Sequence, residues 1–133
     1  YMLNVSARFI KRKMNREIEK YDLTTKQWAV IRLLYTKKEL TQVQIADELK
    51  ADRATAGNVI LNLYKKKYVD RIADKNDRRV YKICLTSKAH DVVKKVDVIA
   101  MNVTDEALKG LKEDDIKVLY YSLNKIINNL SEG

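Results

Sequence analysis

The amino-acid sequence predicts a mainly α-helical fold with one small β-hairpin, and three observations carry that prediction. Apolar residues recur every three or four positions through most of the chain. Hydroxyl–amide pairs with helix N-terminal spacing precede several of these stretches. Strand-like composition is confined to two short runs, 68–72 and 80–85. The absence of proline and the presence of only three glycines fit a fold with few irregular turns.

Each element has its own local cause. Leu3, Ala7, Ile10, Met14, Ile18 and Tyr21 form one stripe of a helix over 3–21. Thr24 and Gln27 make a capping box that opens a helix burying Trp28, Ile31, Leu34 and Tyr35. Thr41 and Gln44 repeat the pattern before a short helix carrying Val43, Ile45, Ala46 and Leu49. Asp52 is the N-cap of a helix reaching about Lys67, with Ala56, Val59, Ile60 and Leu63 inward. The strand-like runs enclose the polar turn 73–79, which makes a two-stranded hairpin. Thr86 caps a long helix with Ala89, Val92, Val93, Val96, Ile99, Ala100 and Val103. Gly110 breaks the chain before a last helix that starts with Glu113, Asp114 and Asp115 and carries Ile116, Leu119, Tyr120, Leu123, Ile126, Ile127 and Leu130.

A hairpin of two strands does not stabilise itself and must lean on helices. Short helix, tight link, second helix and hairpin together make a winged helix-turn-helix, flanked by N- and C-terminal dimerisation helices. Three segments follow within one compact domain: an N-terminal dimerisation helix (1–27), the winged helix-turn-helix (28–88) and C-terminal dimerisation helices (89–133). The terminal stripes are too broad for one chain to cover, so a two-fold homodimer is expected.

Composition narrows the function. The 133 residues carry a net charge of +9, with 46% hydrophobic and 34% charged residues. That is ample for a folded core and calls for an acidic partner. The charge is uneven: +8 lies within 50–95 and −3 within 96–133. One cysteine allows no intrachain disulfide, which suits a reducing cytoplasm. No apolar run spans a membrane, and the start lacks signal-peptide character.

In a helix-turn-helix the second helix enters the major groove. Away from its apolar stripe that helix presents Arg53, Ala54, Thr55, Gly57, Asn58 and Asn62. Arginine can fork onto guanine, asparagine can pair with adenine, and threonine can touch a thymine methyl. Gly57, unusual within a helix, allows close approach to the bases or admits a neighbouring side chain. Lys65 and Lys66 reach phosphate from the helix end, and Arg71 on the hairpin is counted among the DNA-contacting residues. At the hairpin tip, Arg78 or Arg79 can enter the minor groove, and Asp77 is expected to pair with an arginine and orient it. Double-stranded DNA is therefore the expected partner. A winged-helix module for protein partners is the alternative, and a membrane surface is disfavoured for want of an exposed aromatic face.

Residues Leu40 to Thr86 resemble the core of the MarR family of winged-helix transcription regulators. The resemblance rests on Leu40-Thr41, Ile45-Ala46, Leu49, Asp52-Arg53-Ala54-Thr55, Leu63, Lys65-Lys66 and Val69. Arg71, Asp74, Asp77-Arg78-Arg79 and Leu85-Thr86 then match the family's wing signature. The layout of flanking helices extends it over nearly the whole chain. It implies a homodimer on a palindromic promoter site, usually a repressor. It places Asp77 as the acid orienting the wing, Arg79 in the minor groove and Arg53 to Asn58 on the base-reading turn. It also implies a small aromatic or anionic effector held between the dimer helices and the DNA-binding lobe, where Trp28, Arg32, Tyr35 and Arg8 are candidates. Three departures stand out: Asn76 and Asn58 replace frequent arginines, and Lys67 replaces the usual glycine before the first wing strand.

Other conspicuous residues carry no chemistry of their own. Cys84 is expected to pack rather than switch. His90 and Cys84 together are too few for zinc, and Glu113, Asp114 and Asp115 serve a helix start. No catalytic constellation or cofactor site is expected, so the chain is not an enzyme.

Overall fold

The order of elements follows the sequence reading, with one strand added. The computed structural model describes residues 1–131. Helix α1 (Met2–Ile18) ends in a 3-10 turn at Glu19–Tyr21. It is followed by α2 (Thr25–Lys37), β1 (Glu39–Thr41), α3 (Gln42–Glu48) and α4 (Arg53–Lys65). Strands β2 (Val69–Ala73) and β3 (Tyr81–Leu85) form the hairpin, and α5 (Ser87–Ala107) and α6 (Glu113–Ser131) complete the chain. The last two residues of the C-terminal segment lie outside the described residues.

The helix starts form as the sequence predicts. The Thr24 hydroxyl accepts from the Gln27 N–H at 3.2 Å, while the Gln27 side chain accepts from the Thr24 N–H at 3.1 Å. Thr41 and Gln44 repeat this at 3.2 and 2.8 Å. Asp52 and Thr86 cap α4 and α5. Helix α4 stops at Lys65 rather than Lys67.

The expected two-stranded hairpin is a three-stranded antiparallel sheet, ordered β1-β3-β2. Glu39–Thr41 pairs with β3, setting Leu40 opposite Ile83. Three residues are too few to show a strand period, which is why this strand is invisible before the chain folds. The sheet, α2, α4 and α5 close over Ile31, Leu34, Ile60, Leu63, Val69, Ile83, Val93 and Val96. Gln27 is the buried polar residue among those described, and its side-chain oxygen also accepts from the Lys66 ammonium at 3.1 Å. Trp28 and Tyr35, expected inside, are only half-buried against this core.

The terminal helices are different. α1 is joined to α5 by the Lys13–Glu106 ion pair, yet leaves Leu3, Phe9 and Ile10 exposed. α6 buries no residue, and Tyr120, Ile127 and Leu130 stand in solvent. So wide an apolar face is left uncovered among the described residues.

The turn after α4 resolves the missing glycine. Lys67 itself takes a left-handed conformation, with φ of 66°. Its N–H donates to the Tyr64 carbonyl and the Tyr68 N–H to the Leu63 carbonyl, at 3.0 and 2.9 Å. This is a Schellman closure, with Leu63 and Tyr68 both buried beneath it. Lys50, at φ of 52°, closes α3 in the same way. Left-handed geometry costs a residue with a Cβ about 1 kcal/mol. Lys67→Gly should therefore raise stability by about 1 kcal/mol in urea unfolding, with the slope unchanged.

Candidate nucleic-acid interface

The first turn of α4 is set by its cap. The Asp52 carboxylate accepts from the Thr55 N–H at 2.7 Å and from the Thr55 hydroxyl at 2.9 Å. These bonds hold its carboxyl below the ordinary aspartate value. Thr55 is thereby engaged with the cap, whereas Arg53, Ala54, Asn58 and Asn62 are exposed on the outer face of the helix. Gly57 faces α3: a Cβ built there would meet the Gln42 side-chain nitrogen at 2.8 Å. Of the two roles open to it, admitting a neighbouring side chain is the one seen.

At the end of α4 the three lysines diverge. Lys65 is exposed. Lys66 turns back into the body, where its ammonium donates to the Asp22 carbonyl at 2.5 Å and to Gln27. It ties α4 to the loop before α2 and is not free to meet phosphate, against the sequence expectation. Lys67 closes the turn with its backbone, and its side chain is exposed.

The wing tip is ordered by its acids. The Asp74 carboxylate accepts from the Asn76 N–H at 3.1 Å, so Asn76 serves the turn. Asp77 accepts from both the backbone N–H and the Nε of Arg79, at 3.1 and 3.2 Å. The expected pairing thus falls on Arg79, and it holds the Asp77 carboxyl below its usual range. Arg79 keeps 91% of its side chain exposed, so its guanidinium is aimed but not consumed. Arg78 is exposed beside it. Arg71 lies elsewhere, with its guanidinium 4.8 Å from the Tyr64 ring and 5.6 Å from the Tyr81 ring. Neither tyrosine stands out in the sequence, because contact between a helix end and two strands has no linear signature.

The expected effector residues do not converge on one cavity. Arg32 pairs with Asp97 at 3.0 Å and lines a shallow groove with Ala100, Met101, Thr104 and Asp105. Tyr35 lies under the Arg32 guanidinium and beside His90, and Trp28 packs on the core. Arg8 lines a separate groove on α1. Burial raises the Cys84 thiol above its normal value, which suits packing rather than thiolate chemistry. Among the described residues, no group of three potential metal ligands occurs and no helix is long and apolar enough to cross a membrane.

Comparison with known proteins agrees with this geometry. Residues 23–81 match the MarR family model. YwoH of Bacillus subtilis, an HTH-type transcriptional regulator, is 28% identical over 86% of this chain and 83% of its own. A glycine-to-lysine mutant of S. aureus MepR superposes with a TM-score of 0.84, at 26% identity over 98% of this chain and 96% of its own. A cysteine-to-serine mutant of E. coli MarR, complexed with operator DNA, gives 0.80 at 21% identity, covering 94% and 90%. The curated relatives are regulators, not enzymes.

Because Asp52 and Asp77 titrate low when folded, the unfolded chain takes up their protons first. Their contribution is complete above the ordinary aspartate pKa of about 3.9 and falls as pH drops through the lower folded values. Asp52→Asn keeps a good cap but cannot titrate. In unfolding experiments from about pH 5 to pH 2 it should match the parent at the upper end and lose less stability on acidification.

Proposed function

We propose that this chain, whose residues 23–81 match the MarR family model, is a transcriptional regulator of that family and acts as a homodimeric repressor on a palindromic site in double-stranded DNA. The observation that carries the reading is the joint display of two kinds of contact by one rigid lobe. The Asp52-capped helix offers Arg53, Ala54, Asn58 and Asn62, and the wing offers an Arg79 aimed by Asp77. The operator complex of a structural neighbour supports it.

In this reading the first turn of α4 enters the major groove, where Arg53 forks onto guanine and Asn58 or Asn62 pairs with adenine. Lys65 meets the phosphates flanking that groove. Arg79 enters the adjacent minor groove, whose negative potential attracts it, with Arg78 on the backbone beside it. Asp77 holds Arg79 and so removes the repulsion a free carboxylate would feel from phosphate. The apolar faces of α1, α5 and α6 close on a second copy, which places two recognition helices about 34 Å apart, one helical turn of DNA. A small aromatic or anionic effector bound near Arg32 would release the operator to the extent that it prefers a different separation of those helices.

Selection of duplexes from a random pool at physiological salt tests this directly. The expected result is an inverted repeat with half-sites about 10 base pairs apart. Affinity should fall with salt by about 0.9 log unit per neutralised phosphate for each tenfold increase. No preference for any duplex would overturn the reading. Arg79→Ala should weaken binding at every site, whereas Asn58→Ala should relax one position per half-site by about 1–3 kcal/mol. Sedimentation equilibrium should return twice the 15.5 kDa chain mass.

A further inference from the structure

Alternation along the strands places Arg71 on an unexpected side of the wing. Val69, Arg71 and Ala73 of β2 share one face, and the register puts Tyr81, Ile83 and Leu85 of β3 on it too. Val69 and Ile83 are buried there, so this face looks toward the core and α4. Arg71 stands opposite Ile83, with Tyr81 as its diagonal neighbour. At the outer limit of the core its guanidinium meets the ring of Tyr64, in the last turn of α4, and the ring of Tyr81. Three elements therefore meet on one cation.

The position matters because the wing beyond it has little else to hold it. β1 pairs with β3 only at Lys82, Ile83 and Cys84, so the ribbon from Tyr81 and Ala73 outward has two strands. Such a ribbon is marginal alone. The Schellman turn anchors its near end, and the Arg71 contacts are the last link to α4 before the tip. Each exposed cation–π contact is worth about two- to fivefold in an equilibrium.

We propose that Arg71 is a positioning residue: held between Tyr64 and Tyr81, it sets the angle of the wing to the recognition helix so that both engage one half-site together. This rests on the DNA reading above, and it takes Arg71 out of the set that touches DNA. The wing contact is intramolecular once α4 is seated, and its gain depends on the effective concentration of Arg79 at the minor groove. A loosened wing lowers that concentration without losing any contact residue.

The test is a set of double-mutant cycles on the selected duplex at one salt concentration, using full-length chains whose folding is checked by thermal melting. Arg71→Ala should weaken binding about tenfold and Tyr81→Leu about two- to fivefold, and the double variant should be no weaker than Arg71→Ala alone. Arg79→Ala should cost much less in an Arg71→Ala background than in the parent, a coupling that a mere loss of fold stability does not produce. Tyr81→Leu keeps an apolar residue on its strand and carries the test if Arg71→Ala melts early. Loss of affinity in Arg71→Ala with Tyr81→Leu neutral would mean a direct phosphate contact and overturn the proposal. An unchanged Arg79 effect would overturn it as well. Failure of the parent chain to select any duplex would instead remove the DNA reading on which it rests.

Discussion

The turn at Lys66–Tyr68 is the joint on which the winged lobe depends. Three consecutive carbonyls there accept from α5 and its cap: Lys66 from the Lys88 ammonium at 2.8 Å, Lys67 from the Thr86 hydroxyl at 2.8 Å, and Tyr68 from the Thr86 N–H at 3.1 Å. The side chains reach the other way, Lys66 to the Asp22 carbonyl and the Tyr68 hydroxyl to the Tyr21 carbonyl at 2.6 Å. Burial raises the Tyr68 phenol above its ordinary value, so it stays protonated and donating at neutral pH. One left-handed residue thus fastens α4, β2, α5 and the loop before α2 to each other. Without it the chain could not leave α4 and enter β2 over the same core.

That joint explains how two surface features become one interface. The α4 face and the wing tip are separated along the chain by a turn and a strand, yet both are referred to the same rigid point. Beyond it, local chemistry takes over: Asp52 orders the first turn of α4, and Asp77 aims Arg79. Each acid sits beside the cation or N–H it serves, so a strongly basic lobe carries carboxylates that are already paired. Their charge is committed, and the attraction for a polyanion survives.

The uncovered apolar surface divides the molecule in two. The winged lobe holds most of the core and leaves only scattered residues such as Val43, Leu61 and Ile72 exposed, whereas α6 buries no residue and α1 buries only Ile18. In the proposed homodimer, an isologous pairing of those helices would turn one reading head into two with a fixed spacing, and spacing is what a duplex with a helical repeat can discriminate.

Helix starts, strand composition and charge were legible in the chain because their causes lie within a few residues. Thr24 with Gln27, Thr41 with Gln44, Asp52 and Thr86 each state a helix start, and Asp77 two residues before Arg79 states a pairing. The MarR-like order of these signals marks the wing and the recognition helix in the sequence itself. The folded structure alone assigned the rest. It added β1, took Lys66 into the body, gave Gly57 to Gln42 and stacked Arg71 between two tyrosines. Each of these joins residues distant in sequence or on different elements, and no local pattern encodes such a pair. Caps and turns are decided by the nearest backbone, whereas the partner of a long side chain is decided by whatever the fold brings within its reach.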